Sequence, residues 1–242
     1  MKQLFFISTF LIIGLLLQAC EQEDTEVPKA QVPSSQQKDT KNSYTLEEDV
    51  ENVNEHLDYA SSDLDTIYLA GGCFWGVEAF MEKIYGVKEV HSGYANGTSK
   101  DPSYQDVIRG EDGFAEAVEV TYDPDRVALE TLIDDLFLVI DPTSENQQGN
   151  DVGEQYRTGI YTEDQDLLPD IQAVVDKQQK HYEEPIATEA TLLKNFYLAE
   201  EEHQDYLAKN PDGYCHVDLT VANDLAIRPI EDDKPIIKKL SE

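Results

Sequence analysis

The chain has 242 residues, enough for one domain of good size with appendages. Its formal net charge is -32, from 50 acidic against 18 basic side chains. Nucleic acid and anionic membrane surfaces would be repelled, so electrostatic binding to either is excluded and the acidity reads as a solubility device.

Lys2 precedes an apolar run from Leu4 to Leu17 and then Gln18-Ala19-Cys20. That is a positive n-region, an h-region and a small residue before a cysteine. Leu17-Gln18-Ala19-Cys20 resembles the lipobox of bacterial lipoproteins, which would make Cys20 the acylated first residue of the mature chain, anchored to a membrane without spanning it. An ordinary cleaved signal peptide and a single anchor helix stay open. Residues 1–19 are thus expected to be a lipoprotein signal peptide and residues 20–63 an acidic tether, because Glu, Gln, Asp, Ser and Lys dominate there and too little apolar surface is available to offset ordering entropy. A short helix is expected near Leu46 to Leu57. The expected location is the envelope of a bacterium, lipid-anchored and facing the periplasm or the exterior.

The folded domain is expected over 64–220, with a tail at 221–242 to which no role is assigned. Thr66 to Ala70 reads as a strand, and Phe74, Val77, Met81, Ile84 and Val87 recur at helical spacing after it. Between them lies Gly71-Gly72-Cys73-Phe74-Trp75-Gly76. Cys73 therefore falls in the first turn of a helix, where unpaired N–H groups and the helix dipole are expected to lower its pKa and populate the thiolate. The glycines leave the backbone bare for a substrate, and Phe74 and Trp75 offer an apolar wall.

Val87 to Val90 starts a second strand, Ser92 to Gly97 reads as a loop, and Pro102 to Ile108 as a short helix. In the strand Ala115 to Tyr122, Glu116 falls on the face of Val118, Val120 and Tyr122. A carboxyl pointing where apolar residues point should be buried, raised in pKa and able to hold a proton near neutrality. A helix follows from Leu129 to Ile140, ended by Pro142, and then a polar, glycine-bearing segment, Thr143 to Arg157, too long for an idle turn. Ile160-Tyr161 closes a strand, Leu167 to Gln179 is a helix, Ile186 to Leu193 a strand, and Phe196-Tyr197 leads into a short acidic helix over Glu200 to Leu207. Asn210 to Cys215 turns the chain. With Cys20 set aside, Cys73 and Cys215 could form either a static disulfide or a working pair.

Gly72-Cys73-Phe74-Trp75-Gly76 resembles the signature of A-type peptide methionine sulfoxide reductases. The resemblance continues in order through Gly93-Tyr94, Pro102-Ser103-Tyr104, Ala115-Glu116, Tyr122-Asp123-Pro124, Asp141-Pro142-Thr143, Gln148-Gly149-Asn150-Asp151, Gln155-Tyr156-Arg157, His203-Gln204-Asp205-Tyr206 and Gly213-Tyr214-Cys215. It implies an α/β (α+β) two-layer sandwich with a mixed β-sheet of ferredoxin-like type. It implies that Cys73 attacks the sulfur of methionine-S-sulfoxide, free or in proteins, while Glu116 donates a proton to the oxygen. Tyr94 and Tyr156 would hydrogen-bond that oxygen, and Asp151 would arrange the polar side. Phe74 and Trp75, with Tyr214, His203 and Tyr206, would enclose the substrate. A sulfenic acid on Cys73 would condense with Cys215, and the disulfide would be recycled by an external thioredoxin-like dithiol; no cofactor and no metal are implied, and a monomer is expected. Phe114 and Ile140 stand where many members carry histidine, so altered packing is expected there. The rival readings are a cysteine hydrolase or acyltransferase using His203, a zinc site from Cys73, Cys215, His203 and His216, and a non-catalytic lipoprotein with a structural disulfide.

Overall fold

The computed structural model describes residues 52–224; the signal-peptide and Cys20 readings, most of the acidic stretch and the tail beyond 224 lie outside them. Among the described residues the elements run β1 (Asp65–Gly71), α1 (Phe74–Met81), β2 (Val87–Ala95), α2 (Tyr104–Val107), β3 (Ala115–Tyr122), α3 (Leu129–Phe137), β4 (Gln147–Gln148), β5 (Asp151–Val152), β6 (Thr158–Thr162), α4 (Leu168–Gln178), β7 (Glu189–Leu192), β8 (Phe196–Leu198) and α5 (Tyr206–Lys209).

Six strands form one mixed sheet in the order β7-β6-β1-β3-β2-β8, with β6 and β7 parallel and the other neighbours antiparallel. Its inner four strands, β6-β1-β3-β2, are joined as β1-α1-β2 and β3-α3-β6, which is the ferredoxin-like split βαβ arrangement. Side-chain alternation decides the layers. Ile67 and Leu69 of β1 and Val118 and Val120 of β3 bury against Phe74, Val77 and Phe80 of α1, Leu132 and Leu136 of α3 and Ile171 of α4. Tyr68, Ala70, Ala115, Ala117 and Tyr161 form a smaller cluster on the opposite face. Leu69 pairs with Val118, and Tyr94 of β2 pairs with Glu116 of β3, so those two side chains leave the sheet together on the helical side.

Helix α1 has only eight residues, one of them Gly76, whereas an isolated helix needs about 12–15 to persist in water. Packing holds it: Phe74, Val77, Phe80 and Met81 are buried, and each such side chain contributes about 1.5–3 kcal/mol. The expected continuation through Ile84 and Val87 does not occur. Gly86 turns the chain at φ +94, and Asn54 clamps the exit by donating to the carbonyls of Glu82 and Ile84 and accepting the N–H of Gly86. Val87 then opens β2.

Asn54 also corrects the expected start of the domain. Tyr59 donates to the Val87 carbonyl, Ser62 to Asp123, and Arg126 to the Asp58 carbonyl, so the stretch from 52 to 63 packs on the domain as a strap. Of the helix expected near Leu46 to Leu57, the described part is a 3-10 turn, Val53–His56.

The loop expected at Ser92 to Gly97 is largely strand. β2 extends to Ala95 because it pairs on both sides, with β3 and with β8. Gly93 serves that packing, since a Cβ there would stand 2.3 Å from the Phe196 ring and 2.5 Å from the Tyr197 carbonyl. The acidic helix expected over Glu200 to Leu207 is interrupted. Gln204 uses its side chain to bond the N–H and carbonyl of Ser92, and Asp205 then adopts φ 49 before α5 begins.

Candidate active site

Strand β1 runs out at Gly71, and Gly72 turns the chain at φ +86. Only glycine fits there, because a Cβ would meet Gln148 at 2.6 Å and the His216 ring at 2.8 Å. Cys73 follows as the N-cap of α1, 7 % exposed and making no side-chain cap bond. A cysteine caps poorly, and the acceptor comes from elsewhere: Glu116 Oε2 accepts the Phe74 N–H at 3.1 Å. The helix end that places the thiol therefore also places the carboxyl.

Glu116 is 1 % exposed, and burial, opposed by the Phe74 N–H and helped by Asp151, pushes its pKa up to about 8. At neutral pH the acid form predominates. The lowered Cys73 pKa expected from the helix terminus is overturned. Burial first and then Glu116 push the thiol well up, and the nearby Trp75 N–H, which favours the thiolate, does not outweigh them. A single turn of helix dipole falls off quickly, whereas desolvation acts on the whole thiolate. Both groups hold their protons in the closed site.

The tyrosines divide differently from the expectation. Tyr94 donates its hydroxyl to Glu200 Oε2 at 2.7 Å, and its ring packs 5.8 Å from that of Phe74. Its proton is thereby committed away from a substrate oxygen. Tyr156, in the 3-10 turn Glu154–Tyr156, and Tyr104, the first residue of α2, are the two whose hydroxyls lie in the field of Glu116, Asp151 and Cys73. Burial raises both, Tyr104 to about 12, so both stay protonated donors. Tyr104 was present in the sequence as Pro102-Ser103-Tyr104 without a role. The local signal for it is the Ser103–Asp106 capping box, which fixes it at the head of α2. Glu200 had no such signal. It accepts the Tyr104 N–H at 2.8 Å as well as the Tyr94 hydroxyl, and these bonds outweigh its burial and hold it below its ordinary value.

Trp75 stacks on Tyr206 at 3.7 Å between ring centroids and lies 5.8 Å from His203. Its indole N–H donates to His203 Nδ1 at 3.3 Å. His203 therefore carries its own proton on Nε2, and burial lowers its pKa. With Phe74 at 5.4 Å and Tyr104 at 4.5 Å from the imidazole, these rings make an apolar wall beside Cys73. Tyr214 stands apart from it, 46 % exposed and in the field of Asp151. Asp151 opens β5 in the hairpin that Gln148 fastens by accepting the Asp141 N–H and donating to the Asp141 carbonyl.

Cys215 is a free thiol, as is Cys73. Its Sγ donates to the Val217 carbonyl at 3.3 Å and lies 3.0 Å from where a Cβ on Gly76 would stand. Glycine inside a helix costs about 1 kcal/mol relative to alanine; here it leaves room for the second thiol. His203, the base a hydrolase would use, spends Nδ1 on the Trp75 indole and carries its proton on Nε2, which leaves that reading without a base. Among the described residues no group of three or more His, Cys, Asp or Glu side chains converges as a metal site.

Residues 65–234 match the family model described as peptide methionine sulfoxide reductase. The chain is 54% identical over 151 residues to peptide methionine sulfoxide reductase MsrA of Clostridium acetobutylicum, covering 62% of this chain and 93% of the relative. It is 50% identical over 153 residues to that of Clostridium tetani, covering 63% and 93%. Among solved structures it resembles reduced Mxr1 of Saccharomyces cerevisiae, at 40% identity, TM-score 0.61 and coverage of 63% and 88%. It also resembles methionine sulfoxide reductase A of Corynebacterium diphtheriae, at 35% identity, TM-score 0.58 and coverage of 63% and 77%. With its cysteine, buried acid and second thiol gathered on one ferredoxin-like sheet, the chain belongs to the peptide methionine sulfoxide reductases of the A class.

Proposed function

We propose that this reductase acts on methionine-S-sulfoxide through Cys73, Glu116 and Cys215, and that it does so outside the cytoplasm on a lipid anchor. The Phe74 N–H to Glu116 bond is the observation that carries the chemistry, because it holds a protonated carboxyl at the helix end that presents the thiol. As Cys73 sulfur attacks the sulfoxide sulfur, Glu116 gives its proton to the oxygen and recovers one from the thiol. The oxygen passes to Cys73, methionine leaves, and Cys73 is oxidised by two electrons to the sulfenic acid. Tyr104 and Tyr156 donate to the oxygen as charge develops on it, and Phe74 and Trp75 hold the methyl group. Cys215 then bonds to Cys73, and the hydroxyl leaves as water with the Cys215 proton. The disulfide is reopened by an external thioredoxin-like dithiol through exchange.

The test uses the reduced chain with equimolar S- and R-epimers of a blocked methionine sulfoxide, without added reductant. Consumption of the S-epimer alone with loss of two thiols is expected; methionine formed with no thiol lost, or from the R-epimer, overturns the assignment.

The anchor rests on Lys2, the apolar run from Leu4 to Leu17 and Cys20. On that reading the enzyme repairs oxidised proteins of the bacterial envelope. Incorporation of labelled fatty acid by the full chain, lost in Cys20→Ala, is expected. Labelling unchanged in Cys20→Ala, or absent from both, removes the anchor.

A further inference from the structure

His216 follows Cys215 directly, and no role in the reduction falls to it. Its ring is 5% exposed and reaches back to the strand-to-helix turn, where Nε2 lies 2.9 Å from the carbonyl of Gly71, two residues before Cys73. A carbonyl only accepts, so Nε2 carries a proton. In the neutral ring Nδ1 is then bare. It faces Asp151 Oδ2 across 3.9 Å, and both atoms are buried without a hydrogen-bond partner.

Two bare lone pairs facing each other in a buried site are unfavourable, and one proton between them removes the conflict. Either partner could hold it: Asp151 as a carboxylic acid donating to Nδ1, or His216 as an imidazolium beside a carboxylate. Burial lowers the imidazole pKa and raises that of Asp151, which brings the two towards each other. Asp151 is the charged side chain acting on the ring, the Gly71 carbonyl lies on its other nitrogen, and Gln148 stands with the ring at the Gly72 turn, while Tyr214 acts on Asp151.

The consequence concerns Cys215. Its sulfur is parked on the Val217 carbonyl and must leave it to meet Cys73. We propose that His216 is a positioning residue for disulfide formation: by bonding Gly71 and sharing one proton with Asp151, it pins the segment beside Cys215 to the turn that carries Cys73. The anchor stays while the thiol swings, so the second sulfur is presented at high effective concentration. In the step so assisted, Cys215 sulfur bonds to Cys73 sulfur, the S–O bond of the sulfenic acid breaks, and the Cys215 proton leaves with the hydroxyl as water. This role rests on the reading of Cys215 given above.

The experiment is a rapid-quench single turnover of the reduced full chain with methionine-S-sulfoxide, following methionine, free thiols and trapping of sulfenic acid by dimedone. In His216→Ala, methionine formation should stay within about twofold of the parent while loss of the second thiol slows by about tenfold or more and the dimedone adduct accumulates. His216→Gln keeps an N–H for Gly71 but cannot share the proton. It should recover part of the rate. As pH rises, ionisation of the Cys215 thiol should lower this variant's ratio of adduct to disulfide, whereas in the parent loss of the shared proton should oppose that fall. The same variant also serves should His216→Ala fail to fold. Parent-like thiol loss in both variants, or methionine and disulfide slowing in step, overturns the role. If the parent itself makes methionine with loss of one thiol, the reading of Cys215 has failed and the role of His216 goes with it.

Discussion

The Phe74 N–H and Glu116 Oε2, 42 residues apart in sequence, meet at 3.1 Å and tie the start of the thiol-bearing helix to strand β3. The carboxyl is at once a cap and an acid, and the two duties separate by mutation. Glu116→Gln keeps an oxygen to accept the N–H but loses the transferable proton. At acid pH, where the parent's carboxyl is also neutral, we expect its melting temperature to stay close to the parent's, while single-turnover methionine formation falls by about 10²–10⁴-fold. Glu116→Ala should add the loss of the cap, about 1 kcal/mol. Parent-like turnover in Glu116→Gln would remove Glu116 as the proton donor.

The pH dependence has a definite sign. Glu116 in the folded chain holds its proton up to about 8, against an ordinary 4.5. Reduction that needs the acid form should therefore decline as pH rises through about 8. Stability moves the same way. Between about 4.5 and about 8 the folded chain binds more protons here than the unfolded chain; stabilisation is full below that window and lost as pH rises through it. Burial raises Glu78 to about 7 and Glu82 to about 8, so they contribute in the same direction. Melting curves between pH 5 and pH 9, roughly the span of that window, should fall less steeply for Glu116→Gln than for the parent. Equal slopes would contradict the raised carboxyl.

The parity of β3 made Glu116 legible in the sequence, because a carboxyl on the face of Val118 and Val120 has nowhere to point but inward. The Gly72-Cys73 turn was legible for the same local reason. What was not legible depends on distant chain. The thiol's position at a helix terminus suggested a lowered pKa, yet burial under distant chain raises it, with Glu116 of β3 adding to the effect, and nothing near Cys73 in sequence announces either. Tyr94 and Tyr104 look alike until Glu200, about a hundred residues on, takes the hydroxyl of one and the backbone N–H of the other. The strap from 52 to 63 reads as polar tether because its anchoring is by Asn54, Tyr59 and Ser62 to backbone and carboxylate rather than by apolar burial.

That division of the tyrosines is testable. Tyr94→Phe should lose a hydrogen bond to a charged acceptor, about 1.5–3 kcal/mol of stability, while kcat/KM stays within about threefold of the parent. Tyr104→Phe and Tyr156→Phe should each lower kcat by about tenfold or more through loss of a donor to the developing oxyanion, with little change in melting temperature. The reverse pattern would restore Tyr94 to the oxygen site.

The two thiols should fail separately. Cys73→Ser should make no methionine, whereas Cys215→Ser should make about one equivalent and then stall as sulfenic acid or a mixed disulfide. Gly76→Ala probes the seat between them without touching either. Its Cβ would stand 2.9 Å from Val217 and 3.0 Å from the Cys215 sulfur, so the segment carrying the second thiol must shift outward. Helix propensity favours the alanine by about 1 kcal/mol, which keeps loss of α1 from being the cause of any defect. Single-turnover methionine should therefore be retained, while turnover driven by an external dithiol should fall by about tenfold. Equal loss in both assays would mean that the added methyl disturbs Cys73 itself, and no loss in either would mean that Cys215 resolves the sulfenic acid from a position away from Gly76.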